Sequence, residues 1–236
     1  MIEIDDAGSG SLIGGTGIGI LRTETREYLF SLIPLSFFQE PLFQEKKYQQ
    51  YVIRIVQEAV TKMKISKDEP IRVCRSYIFD ELRTWLTAQG YSWESTKIEG
   101  PLQNLVEYSF SQYVISLGLP QNFVQHARYA FGFHRLFKWV LADFPNRAPL
   151  CKSGWKSWQR WSTIVPTATS GIAQKTCYCL KCGRLISAGE KIRTLRYYTN
   201  KAYSLELHYK CHSKANYADR KDYGLENITR AEPATK

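Results

Sequence analysis

Four residues constrain this chain more than any others: Cys179, Cys182, His208 and Cys211, a Cys-x2-Cys pair and a His-x2-Cys pair separated by 25 residues. Two cysteines three apart meet one cation from a tight turn, and a His and a Cys three apart share one face of a helical turn. Together they close a tetrahedron around zinc. Such a closed site holds structure and leaves no open position for chemistry. Cys177 and His212 flank the set. Cys177 would bind in a cramped Cys-x-Cys bite and His212 would project away from the shared face, so both stay outside it. Disulfides are the competing reading of these thiols. The opening Met1-Ile-Glu-Ile-Asp-Asp6 lacks the layout of a secretory signal, and no apolar run approaches the roughly 18 residues of a membrane span. The sequence therefore predicts a cytoplasmic protein with reduced thiols and no membrane partner.

Charge points to a polyanionic partner. Residues 1 to 150 carry 16 Lys+Arg against 16 Asp+Glu, so the whole formal charge of +10 falls on residues 151 to 236. Positive potential concentrated on one module neutralises phosphates and releases counterions, which predicts nucleic acid, DNA or RNA, as the partner. Aromatic side chains interleave with the cations: Lys152, Trp155, Lys156, Trp158, Arg160 and Trp161 before the metal set, and Arg193, Arg196, Tyr197 and Tyr198 within it. That mixture suits phosphate contact with base stacking. Trp155, Trp158 and Trp161 also form an i, i+3, i+6 stripe, the pattern of a helix packing on a core.

The stretch Cys179-Leu-Lys-Cys-Gly-Arg-Leu-Ile-Ser-Ala-Gly-Glu-Lys-Ile-Arg193, closed by Leu207-His-Tyr-Lys-Cys211, resembles the zinc fingers of poly(ADP-ribose) polymerases and of one DNA ligase. Ile186, four residues after the second cysteine, the Ile192-Arg193 pair and the aromatic Tyr209 after the histidine carry the likeness beyond the ligands. It covers residues 177 to 215 and implies a finger that grips nucleic acid. The gap between ligand pairs is a few residues shorter than is usual in that family.

At 236 residues and 44% apolar composition, the chain has length for one core of about 150 residues and one small metal-stapled module. We divide it into a domain over 1–145, a basic, Trp-rich linker over 146–176 holding Pro149, Gly154, Pro166 and Thr167-Ala-Thr-Ser-Gly171, a zinc finger over 177–220 and a tail over 221–236.

Within the first domain, Ile2-Glu-Ile4 alternates as a strand and meets Asp5-Asp6-Ala-Gly-Ser-Gly-Ser11. Gly14-Gly-Thr-Gly-Ile-Gly-Ile-Leu21 resumes alternation, with glycines at every second position baring one face to a closely approaching neighbour. A strand over Tyr28–Leu35, a helix over Phe43–Met63 and a strand over Ile71–Arg75 follow. Next come a helix capped by Ser76 and ended by Gly90, a strand over Tyr91–Ile98, a helix over Leu102–Leu117 and a helix from Pro120 to about Phe144. In the last, Phe123, Ala127, Ala130, Phe131, Phe137, Val140 and Leu141 form an apolar stripe. The predicted class is α/β, a mixed sheet with helices on both faces plus a small C-terminal zinc-binding domain.

That element order, βββαβαβαα, resembles the ribonuclease H-like fold, and Ile4-Asp-Asp-Ala-Gly-Ser-Gly10 is similar to the Asp-Glu-Ala-Gly-Arg-Gly signature of type 2 ribonucleases H. Asp6 and Ser9 depart from that signature. The resemblance implies that Asp5 and Asp6 bind magnesium or manganese and that the Gly8-Ser9-Gly10 loop contacts the substrate strand. Two such ions need three or four carboxylates to hydrolyse a phosphodiester. The fourth strand ends Val73-Cys-Arg-Ser76 without an acid, so Asp80 and Glu107 are the further expected ligands, with Glu45, Glu58, Glu99 and Asp143 in reserve. The leading expectation is a metal-dependent nuclease or resolvase. A non-catalytic nucleic-acid-binding protein on a degenerate scaffold is the first alternative. The second is an ATPase-like phosphate site at Asp6-Ala-Gly-Ser-Gly-Ser11, which one such domain is too short to complete. Cys74 and Cys151 read as ordinary buried thiols.

Overall fold

In the computed structural model, residues 1–124 and 132–212 are described. The chain forms two units, Met1–Phe137 with Leu150–Trp155, and Lys138–Pro149 with the residues from Lys156 onward.

Alternation at the start of the chain makes the centre of the first unit. Strand β1 (Ile2–Ala7) buries Ile2 and Ile4, β2 (Thr16–Arg22) buries Ile18 and Ile20, and β3 (Glu27–Ile33) completes an antiparallel meander. Helix α1 (Lys47–Met63) presents Tyr48, Val52, Ile55, Val56, Ala59 and Met63, the i, i+4 stripe that its sequence spells. Strand β4 (Ile71–Cys74), helix α2 (Asp80–Ala88) and strand β5 (Trp93–Thr96) follow, then α3 (Pro101–Ser116) and α4 (Gln121–Val124). Strand order is β3-β2-β1-β4-β5, with β4 and β5 parallel to β1, a mixed sheet flanked by helices. One face packs Ile2, Ile4, Ile18, Ile20 and Val73 against apolar side chains of α1 and α2, including Val52, Val56, Leu82 and Leu86. On the other, α3 lies over β1 and β2.

The expected elements are present with shifted ends. Strand β1 runs on to Ala7, so Asp5 and Asp6 lie inside the strand rather than after it. Residues 43–46 are turns rather than the first turn of α1. Ser76 gives no side-chain cap to the helix after β4. A 3-10 turn, Tyr77–Phe79, intervenes, and the Ser76 hydroxyl bonds Asp6 instead. The helix expected from Pro120 to Phe144 is observed as α4, then α5 (Phe133–Ala142) and α6 (Phe144–Arg147), the last two parted at Asp143, whose backbone is not helical (φ −152°, ψ 64°). Ala127, Ala130 and Phe131 of its stripe lie outside the described residues, whereas Phe137, Val140 and Leu141 are buried.

Residues 146–176 are not a linker. Leu150–Trp155 belong to the first unit, where Gly14 N–H donates to Leu150 O (2.9 Å), Lys152 N–H to Leu12 O (2.9 Å) and Gly154 N–H to Phe38 O (3.0 Å). The buried Leu12–Gly14 backbone needs these partners, and a passing extended segment supplies them. Helix α7 (Lys156–Trp161) belongs to the second unit, where Trp158 stacks on Phe144 with centroids 6.0 Å apart and planes 4° apart.

The second unit also holds β6 (Thr167–Ile172), β9 (Lys191–Tyr198) and β10 (Ala202–His208) in a sheet ordered β10-β9-β6, and the hairpin of β7 (Cys177–Tyr178) with β8 (Leu185–Ile186). Its sheet core is small: Ile192, Leu195, Tyr197, Leu205 and Leu207. No described helix is long and apolar enough to cross a membrane.

The bare face of β2 is where α3 approaches. A Cβ on Gly19 would stand 2.9 Å from Val106 Cβ and 3.0 Å from Leu102 Cδ1. We expect Gly19→Val to lower stability by about 2 kcal/mol or more through overpacking, read as a fall in melting temperature. An unchanged melt would contradict this helix-on-sheet contact.

Candidate metal centres

The four residues set apart by spacing come together. One ligand atom from each of Cys179, Cys182, His208 and Cys211 lies within 4.8 Å of the others. Cys179 and Cys182 sit in the turn between β7 and β8, which Gly183 closes with φ +73°. His208 ends β10, and Cys211 follows in a 3-10 turn over Tyr209–Cys211.

Donor chemistry fits zinc. His208 Nε2 lies 3.0 Å from Leu185 O, a carbonyl that only accepts, so the ring proton sits there. Nδ1 keeps its lone pair toward Cys182 Sγ at 3.3 Å and Cys211 Sγ at 4.0 Å. Burial pushes the Cys182 thiol up, but hydrogen bonds, the Arg184 backbone N–H first and then Cys179 and Cys211, outweigh it and bring the thiol down to about 7. Burial, then the neighbouring Cys179 charge, pushes Cys211 up to about 12. A cation supplies what those crowded sulfurs lack. Cys177 stands outside, as its spacing implied, and donates its S–H to Glu206 Oε2 at 2.7 Å.

A second cluster lies at the tip of the central strands: Asp5, Asp6 and Cys74, again with ligand atoms within 4.8 Å. Parallel pairing of Ile4 with Val73 carries one residue further to bring Asp5 opposite Cys74, whose thiol donates to the Asp5 carboxylate. Burial pushes Asp5 up to about 6 against those hydrogen bonds, and the charges of Asp6 and Glu107 add to the rise. Asp6 is also raised, by burial, although the hydroxyls of Ser9 and Ser76 donate to it and Lys152 is near.

Of the other expected ligands, Asp80 does not join. The 3-10 turn after β4 separates it from the strand tip, and it is exposed and paired with Arg83 Nη1 at 2.6 Å. Glu107 is exposed on α3 and accepts from Gln103 Nε2 at 3.2 Å, near enough to act on Asp5 by charge but outside the cluster. The reserve acids pair elsewhere: Glu45 with Lys47, Glu58 with Arg54, Glu99 with Lys97 and Asp143 with Lys181.

Lys152 overturns an expectation. Its side chain is fully buried and reaches no nucleic acid. Nζ donates to Gly8 O (2.6 Å) and Thr16 Oγ1 (2.9 Å) and sits 4.4 Å from the Phe38 ring centroid. Burial lowers it to about 7, although the Asp6 charge opposes that fall. Trp158 is buried too, and half-buried Trp155 stands 5.2 Å from Lys152 Nζ. In the loop, Gly8 and Ser9 are engaged internally and only Gly10 is exposed. Lys156, Arg160 and Arg196 are exposed.

Sequence reasoning passed over Cys74 and the structural role of Lys152. The parallel β-strand register exposes the first. Nothing local exposes the second, whose partner Gly8 is 144 residues away. Sequence reasoning also understated a basic rim on the zinc module. Lys191 Nζ lies 4.4 Å and Arg193 Cζ 4.6 Å from the Tyr209 ring centroid, and Arg184, Lys191, Tyr209 and Lys210 line a hollow beside Cys182, His208 and Cys211.

No protein-family model matches this chain, and a search of curated proteins gives no match.

Two measurements test the centres. Cys179→Ser should lose a bound zinc by elemental analysis and unfold the β6–β10 module, because so small a core needs the metal. A module that stays folded without zinc would overturn that role. For Asp5, whose folded carboxyl titrates above its ordinary 3.8, the stabilising contribution is complete below 3.8 and is lost as pH rises through about 6. Without added divalent cation, Asp5→Asn should therefore melt higher than the parent at pH 7, and the difference should close toward pH 4. Parallel melting curves would contradict a buried, charged Asp5.

Proposed function

We propose that this is a nucleic-acid-binding protein, in which a ribonuclease H-like first unit carries a zinc-finger module that holds the phosphate backbone. The observation that carries this reading is the charge of residues 153 to 212, ten Lys+Arg against Glu190 and Glu206 alone. Exposed Arg184, Lys191, Arg196 and Lys210 belong to the zinc module itself. Exposed Tyr178, Tyr198 and Tyr209 stand among those cations and offer ring surface to unstacked bases. The resemblance of Cys179–Arg193 and Leu207–Cys211 to fingers that bind nucleic acid supports the same assignment. For the first unit, support comes from the sheet order β3-β2-β1-β4-β5 and from the Asp5-Asp6 pair beside the Gly8-Ser9-Gly10 loop.

Metal-dependent phosphodiester hydrolysis is the second reading, and the raised carboxyls of Asp5 and Asp6 favour it. Against it, among the described residues only two carboxylates converge, a thiol occupies the tip of β4 and Asp80 is held by Arg83. Two divalent ions in line with a scissile phosphate need more acid than that. Magnesium therefore does not fit the set as it stands.

Fluorescence anisotropy with labelled single-stranded and duplex DNA and RNA tests the proposal. We expect binding whose affinity falls steeply with salt, and a loss of about tenfold or more in the triple variant Arg184→Glu, Lys191→Glu, Arg196→Glu. Salt-independent binding, or none, sinks it. Incubating the same labelled strands with magnesium or manganese separates the second reading: cleavage that vanishes in Asp6→Asn establishes hydrolysis, and intact strands leave binding as the function.

A further inference from the structure

The disagreement between the strand-tip donors and magnesium has its own chemistry. Asp5 and Cys74 stand opposite one another across the β1–β4 pairing, and Asp6, the next residue along β1, completes the three. Asp5 is 6% exposed and Asp6 and Cys74 are half-buried, so the set is partly recessed rather than a grouping of fully exposed acids. Two carboxylate oxygens and one sulfur within 4.8 Å of each other suit a single cation with bonds of about 2.0–2.3 Å.

We infer that Asp5, Asp6 and Cys74 form a second metal site, one that takes a thiophilic divalent cation of the zinc class and rejects magnesium. Magnesium demands six oxygen donors in near-octahedral array and does not displace a thiol proton. A zinc-class cation binds thiolate, carboxylate and water together and deprotonates the thiol on binding. In that step the Cys74 S–H bond breaks, the sulfur electron pair forms the bond to the cation, and the proton leaves to solvent.

Charge balance agrees. Two carboxylates and a thiolate carry three negative charges, and a single dication neutralises two of them. Two magnesium ions beside two carboxylates and a neutral thiol would leave two positive charges in excess, which costs heavily. This site differs from the four-ligand centre in donors and in unit, and it does not rest on the nucleic-acid reading, because metal binding is read with no nucleic acid present.

Equilibrium dialysis of the full chain against zinc, with metal counted per chain, tests the inference. The parent should hold two zinc ions, and Cys74→Ala, Cys74→Ser and Asp5→Asn one each, with melting curves confirming that each variant is folded. Cys182→Ser should also lose one, from the other centre. Metal-free parent given one equivalent of zinc, which fills the four-ligand centre, and then cobalt should give a sulfur-to-cobalt charge-transfer band that is missing from Cys74→Ser treated the same way. Magnesium in roughly thousandfold excess should displace neither ion. If Cys74→Ala does not fold, Asp5→Asn carries the same count. A parent that binds one zinc, a second zinc that survives loss of Cys74, or displacement by magnesium would each overturn the inference.

Discussion

Parallel pairing of β1 with β4 is the constraint on which the first unit depends. β1 lies at the centre of the sheet, between β2 and β4, so its register decides both faces at once. With Ile4 beside Val73, the isoleucines of β1 enter the core under α1 and α2, and Asp5 meets Cys74 at the tip. A slip of one residue would turn Ile2 and Ile4 out of that core and part Asp5 from the thiol. Core packing and site geometry are thus one choice. The hydrophobic side holds the register, and the polar tip inherits its position from it.

Two carboxyls in a recessed tip are costly, and the fold offsets the cost with local donors. Ser9 and Ser76 donate to Asp6, and Cys74 donates to Asp5. Lys152 adds a buried amine that binds Gly8 O and Thr16 Oγ1. The Gly8 loop is thereby tied to the Leu150–Trp155 segment, whose backbone also pairs with Leu12 and Gly14. In the second unit the stabilising agent changes. Its sheet buries few side chains, and three cysteines with one histidine stand together where a metal would supply the cross-link that so small a core lacks.

What could be read from the sequence followed the distance over which each feature is determined. The Cys/His cluster was legible because each pair is three residues apart and spacing alone sets their bite. The strands were legible as alternation, and α1 as a stripe from Tyr48 to Met63. The glycines of β2 correctly announced a close neighbour, which proved to be α3 over Gly19. Helix starts were less legible: Ser76 reads as a cap, but the carboxylate of Asp6 captures its hydroxyl. Lys152 and Trp158 looked like a nucleic-acid surface because cations beside aromatics look alike whether buried or exposed. Only the tertiary partners, Gly8 for one and Phe144 for the other, tell the two apart.

The central claim is that the zinc-bearing module is where nucleic acid is held. Photocrosslinking with strands carrying 5-bromouridine or 5-bromodeoxyuridine, followed by mass spectrometry of the linked peptides, tests it most directly. The account predicts adducts on peptides containing Tyr178, Tyr198 or Tyr209, lost when the cations around them are reversed. Adducts confined to residues 1–124, or none at any salt concentration, would contradict it.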